Sequence, residues 1–238
     1  LILRKIEGER FSEVLPLWSG KTVVIIAGGA SLTRRQVHFV RNAHATGLVE
    51  CIAVNAAYLW VDFASVLYFA DSHFFRWHNE GIPILGLSLN AVDVRERFAS
   101  FAGQKCSIQS SGGNITDEAV HMMRNRDFPG HGEGLSLDPR YLVTGRNSGF
   151  QALNLAVLAG SKRIILVGFD GRPGIDGRDH FHGGHPRPTP EAAYPLYRSA
   201  MVAASAALRN AGVEVLNCTP GSAIDCFPRV DLEDSLNA

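Results

Sequence analysis

Two stretches of this chain run through apolar, largely β-branched residues straight into glycine: Thr22-Val23-Val24-Ile25-Ile26-Ala27-Gly28-Gly29-Ala30-Ser31-Leu32 and Arg163-Ile164-Ile165-Leu166-Val167-Gly168-Phe169-Asp170. Neither run alternates apolar with polar residues, so each reads as a strand covered on both faces, the habit of a parallel sheet. Both end in residues that allow close backbone approach or carry a polar group. In α/β proteins that edge of the sheet is where ligands bind.

The remaining pattern supplies the crossovers. A helix is expected over Thr33 to Ala45, a strand over Glu50 to Asn55 and another over Ser65 to Ala70. Ile82 to Leu89 reads as a short strand, Val92 to Phe98 as a short charged helix, and Gln104 to Ile108 as a strand. Residues 110–145, rich in Gly, Asn and Asp, read as irregular. A tightly packed helix follows at Phe150 to Ala159, then the second glycine-ended strand at Lys162 to Gly168. Residues 171–190 form a polar loop, and loops of roughly 20 residues are uncommon unless they cover or build a site. Glu191 to Asn210 reads as a long Ala-rich helix, Val213 to Asn217 as a last strand, and Asp225 to Ala238 as a peripheral tail. The expectation is a single Rossmann-like α/β domain over residues 1–238, predominantly parallel with helices on both faces, in which 110–145 and 171–190 cover the site.

Composition excludes several classes. With 23 basic and 23 acidic side chains, the formal net charge of zero provides no overall field for nucleic acid or an anionic membrane. No run approaches the roughly 18 to 20 apolar residues of a membrane span, and no signal-peptide order opens the chain. The four cysteines, Cys51, Cys106, Cys218 and Cys226, form no CxxC pair and read as reduced thiols, pointing to a cytoplasmic protein. Nothing in the composition sets an oligomeric state.

The polar residues at the strand ends are the candidates for chemistry. Gly28, Gly29 and Ser31 lie between a strand and a helix, where backbone N–H groups can hold a phosphate or simply make a tight turn. Ser31 would add a hydroxyl or cap the helix. Asn55 and Asp71 end the next two strands; they can read a base or bind hydroxyls, or serve as caps. Asn147, Ser148 and Gly149 open a helix, and Asp170 closes the strongest strand. His180, His182 and His185 lie in Asp179-His180-Phe181-His182-Gly183-Gly184-His185-Pro186, which suits general acid–base work. His180 and His182 with Asp176 or Asp179 could hold a divalent metal, though the spacing matches no strong zinc signature and no metal is assigned. Arg34 and Arg35 read as a solvated face, and Trp60, Phe74, Phe75 and Trp77 as core or lid packing.

In their order these motifs resemble the superfamily joining bacterial CMP-sialic-acid sialyltransferases with MptE-like 6-hydroxymethylpterin diphosphokinases, several members of which are encoded by phages or prophages. The resemblance is carried by Ile26-Ala27-Gly28-Gly29-Ala30-Ser31-Leu32, Val54-Asn55, Asn147-Ser148-Gly149, Gly168-Phe169-Asp170 and Asn217-Cys218-Thr219-Pro220-Gly221-Ser222. It implies a nucleotide-dependent transferase, with a CMP-sugar as donor in one branch and ATP, with Mg²⁺, in the other. It further implies a loop histidine, His185 or His182, as general base toward an unidentified acceptor. Tyrosines assisting the leaving phosphate have no secure counterpart, since Tyr194 and Tyr197 fall in or near the long helix. The rival expectation is a non-catalytic phage or prophage protein that retains the fold.

Overall fold

In the computed structural model, which describes residues 1–110, 115–183 and 187–237, eight strands form one parallel sheet. A separate antiparallel hairpin, β1 (Leu3–Lys5) with β2 (Ser12–Val14), precedes it. The sheet strands are β3 (Thr22–Ile26), β4 (Val49–Val54), β5 (Val66–Tyr68), β6 (Gln104–Ile108), β7 (Val120–Asn125), β8 (Tyr141–Leu142), β9 (Arg163–Val167) and β10 (Glu214–Asn217). Their order is β10-β9-β3-β4-β5-β6-β7-β8. The chain thus builds outward from β3 to β8, then returns to the opposite side of β3. The strand order reverses between β3 and β9, the two glycine-ended runs.

Alternate residues of those strands feed two cores. Val23, Ile25, Ile52, Val54, Ile164 and Leu166 pack with α4 (Ser148–Leu158) and α5 (Ala193–Asn210). Val24, Ile26, Cys51, Ala53, Ile165 and Val167 share the other core with α1 (Arg34–Ala45), α2 (Ser72–Glu80), α3 (Ala91–Ala99) and α6 (Leu232–Asn237). This is the double coverage that unbroken apolar runs require. The fold is α/β and Rossmann-like.

Four departures from the sequence reading have physical reasons. Residues 110–145 are not irregular throughout: β7 and β8 extend the sheet there, and the longest irregular stretch among the described residues is 126–140. In place of a strand at Ile82 to Leu89 there is a 3₁₀ turn, Leu85–Leu87, closed by an Ile84–Leu89 bridge with Ser88 in the left-handed region at φ 55°. Helix α2 was not anticipated, because Phe74, Phe75 and Trp77 are weak helix formers. The tail is not peripheral, since α6 buries Leu232 and Leu236 against the α1 side.

One buried amide fixes the approach to the site. Asn154 on α4 accepts from the Ser136 and Val143 amides at 3.1 and 3.2 Å and donates to the Ser136 carbonyl at 2.9 Å. Gln151, one turn earlier, donates to the Thr144 carbonyl at 2.7 Å and accepts from the Tyr68 hydroxyl at 3.0 Å. Together they moor residues 136–144 to the start of α4. Asn154→Ala would leave buried amides unpaired, so it should cost about 1–3 kcal/mol. Urea unfolding with an unchanged m-value checks this.

Candidate functional site

The C-terminal ends of β3 and β9 touch immediately. The Ala27 amide donates to the Val167 carbonyl at 2.8 Å and the Gly29 amide to the Gly168 carbonyl at 3.0 Å. Gly168 has φ +73°, and a Cβ there would run into the Ala27 carbonyl; a Cβ on Gly29 would overlap the Asp170 carboxylate and the Gly168 carbonyl. These glycines are imposed by the close approach of two strand ends. Gly28 is different, because a Cβ there would meet only the Phe181 ring at 3.8 Å and His180 Nδ1 at 3.9 Å.

Asp170 closes the junction. It accepts from the Ser31 amide at 3.1 Å and from the Ser31 hydroxyl at 3.0 Å. Burial holds its pKa above the ordinary carboxylate range, partly offset by the two Ser31 bonds. Ser31 is therefore not a helix cap; Thr33 caps α1, in a reciprocal box with Gln36. Nor does Ser31 line the cleft that opens beside this turn. With the Gly29 and Ser31 amides committed, the Gly28 and Ala30 amides have no hydrogen-bond partner among the described residues, and of these two residues Gly28 lines the cleft.

The cleft occupies about 550 Å³ at the strand-order reversal and brings together Gly28, Gly29, Asn55, Asp71, Asn147, Ser148, Gly149, Asp170 and His182. His185 lies outside the described residues. Asn147 caps α4, its Oδ1 accepting from the Gly149 amide at 2.7 Å. Gly149 is required by packing, since a Cβ would sit 2.6 Å from the Phe169 ring. Ser148 keeps both amide and hydroxyl uncommitted among the described residues, at the first turn of α4, where the helix dipole favours an anion. Asp71 caps α2 through Oδ1, which accepts from the His73 amide at 2.7 Å.

Asn55 is the most exceptional of these residues. It ends β4 in the left-handed region at φ 51°, and its Oδ1 is buried without a hydrogen-bond partner among the described residues. A buried orphan acceptor beside a cleft calls for a donor from whatever occupies that cleft. A second left-handed residue, Arg146 at φ 55°, also lines the cleft, as does Arg172. Neither arginine has an ion-pair partner among the described residues, in a chain whose other arginines pair repeatedly with carboxylates.

The histidine loop folds back over the same turn. The Phe181 amide donates to the Gly28 carbonyl at 3.1 Å, and the Phe181 ring packs 4.3 Å from that of Trp60, over which Arg34 lies at 4.4 Å. Trp60 thus does serve lid packing, while Arg34 is not simply solvated. His180 and His182 stack with ring centroids 5.4 Å apart, and both line the cleft. His182 is buried, and its Nδ1 lies 2.7 Å from the Gly183 carbonyl. A carbonyl only accepts, so Nδ1 carries the proton and, in the neutral ring, Nε2 carries the lone pair.

Asp179 anchors the loop to α5, accepting from the Tyr194 hydroxyl at 2.6 Å and the Thr189 amide at 3.0 Å. Burial, then that bond to Asp179, pushes the Tyr194 phenol pKa upward, so it stays a donor. Tyr194 and Tyr197 both line the cleft from the first turns of α5. Asp176 is engaged by Arg178. No group of three His, Cys, Asp or Glu among the described residues is disposed to hold a metal ion. Sequence reasoning passed over Arg146, Arg172 and the two tyrosines as cleft residues; the adjacency of Arg146 to Asn147 was the available signal.

No family model matches the chain, and neither does any curated protein. Among solved structures, the MAf glycosyltransferase from Magnetospirillum magneticum AMB-1 is similar, with a TM-score of 0.55 and 12% identity over 90% of this chain and 34% of that one. The chain thus spans about a third of that protein's length. The likeness is one of fold; it does not reach the MptE-like branch or a phage origin.

Two outcomes test this geometry. Gly29→Ala should cost about 1–3 kcal/mol by overpacking, read from the urea midpoint. For Asp170, the folded state holds the proton to higher pH than the unfolded chain, so stability should fall as pH rises from about 4, where a free carboxylate titrates, toward the raised value. Asp170→Asn should lose that downward slope between pH 3 and 6; parallel midpoint curves for the two proteins would refute it.

Proposed function

We propose that this protein is a nucleotide-sugar-dependent glycosyltransferase, with a CMP-sugar type of donor and a loop histidine as general base. The observation that carries the nucleotide is Asn55 Oδ1, a buried acceptor without a partner among the described residues, within a cleft that also holds two arginines with no ion pair among those residues. The base or ribose would meet Asn55, and the phosphate would meet the Gly28 amide, Ser148 and Arg146 or Arg172. A fold shared with the MAf glycosyltransferase is consistent with this use of the cleft.

The step balances on groups of this chain. Nε2 of the histidine takes the proton of an acceptor hydroxyl as its oxygen bonds to the anomeric carbon. The bond from that carbon to the phosphate oxygen breaks, and its electron pair leaves on the nucleotide. The arginines would stabilise the charge that develops on the phosphate, while the Tyr194 phenol, kept protonated, holds Asp179 and with it the loop. The Nδ1 contact with Gly183 favours the tautomer a base needs, which makes His182 the first candidate. His185 remains the alternative.

A thermal-shift panel of CMP, CDP, ATP and ADP, with and without Mg²⁺, tests the reading. CMP at a hundredfold excess over its Kd should raise the Tm by about 5–10 °C without Mg²⁺. Stabilisation by ATP alone, with Mg²⁺, would redirect the assignment to pyrophosphoryl transfer. Silence toward all four would leave a non-catalytic protein. In the expected case His182→Ala should lower turnover about 10²- to 10⁴-fold while preserving the CMP shift; full activity in that variant, with loss in His185→Ala, would move the base to His185.

A further inference from the structure

The cleft has a second, chemically different half. On α2, Phe74, Trp77 and His78 are spaced i, i+3, i+4 and all line the cleft, continued by Ile82, Pro83 and Ile84. The wall is rigid. The His78 ring stacks on Phe74 at 4.0 Å, and its Nδ1 meets the Tyr58 hydroxyl at 2.8 Å. It is also bound to the histidine loop: the Arg187 guanidinium lies 5.5 Å from the centre of the Trp77 ring, and the Gly86 backbone packs so closely on the His182 carbonyl that a Cβ would overlap it. Asp71 stands at the head of the same helix with one carboxylate oxygen committed to His73 and the other without a partner among the described residues.

We infer that this wall is the acceptor subsite and that the acceptor presents a neutral glycoside. A phosphate is disfavoured beside the Asp71 carboxylate, whereas a sugar hydroxyl donates to it. A pyranose also offers an apolar C–H face, which a flat indole such as Trp77 covers while hydroxyls at the ring edge reach polar partners. His182 borders both halves of the cleft, so an acceptor hydroxyl on this wall lies on the side of the proposed base. The inference rests on the glycosyl-transfer reading for its chemistry, and its binding test is independent of the donor.

Saturation-transfer NMR on the full chain, with methyl β-galactoside, methyl β-glucoside and methyl N-acetyl-β-glucosaminide as probes, should detect transfer to at least one of them. Trp77→Ala should weaken that binding about tenfold, and Asp71→Asn, which keeps the capping oxygen, should weaken it about tenfold or more. Both variants should retain the wild-type CMP shift. Absence of transfer to all three probes, or transfer unchanged in both variants, overturns the subsite even where CMP binds. Transfer that depends on Trp77 and Asp71 without any CMP shift upholds the subsite and removes the donor assignment.

Discussion

The structure depends on how closely β3 and β9 approach each other at their C-terminal ends. Those strands lie side by side, yet the chain leaves them in different directions, into the turn before α1 and into the long loop before α5. Two glycines let the backbones meet, and the Asp170 carboxylate ties the meeting point to Ser31. The histidine loop then returns to the same place, with the Phe181 amide on the Gly28 carbonyl. One turn therefore sets the floor of the cleft, the start of its lid and the position of its imidazoles. A carboxylate whose ionisation is resisted by burial is tolerated there because both oxygens are answered by Ser31.

Charge divides the cleft built on that floor. Gly28, Ser148, Arg146 and Arg172 make one side favourable to an anion, while the α2 wall with Asp71 makes the other favourable to a neutral, hydroxyl-rich group. The imidazoles of His180 and His182 stand near both. On the proposed transferase reading this division would hold donor and acceptor together without competition for the same contacts.

The sequence disclosed what was encoded locally. Val23 to Ile26 and Ile164 to Val167 announce buried parallel strands because no polar residue interrupts them. Asn147 announces a cap because its role is settled within three residues. Strand β7 stayed hidden because His121 and Arg124 interrupt its apolar pattern, and their partners are far away in sequence: His121 bonds Ser12 and Gln104, and Arg124 pairs with Glu9. At the site, position 55 was legible from its place at a strand end, as was Asp170, but the structural partner of Asp170 was not. Nothing near residue 170 in sequence reveals that Ser31 occupies both its oxygens.

The two left-handed residues at the cleft bear on why the site is built from side chains at all. Where a turn needs only positive φ, glycine supplies it without strain, as Gly145 and Gly168 do here. Asn tolerates the left-handed region better than most residues, but its amide oxygen at position 55 is spent on no bond that the backbone geometry requires. Arg146 has no such tolerance and makes no hydrogen bond or ion pair among the described residues to offset the strain. Each costs of order 1–3 kcal/mol relative to an unstrained residue. The cost is met by a sheet buried on both faces. A strained backbone that keeps an uncommitted acceptor at one strand end and an uncommitted cation at the neighbouring helix start is intelligible when both side chains are reserved for a ligand.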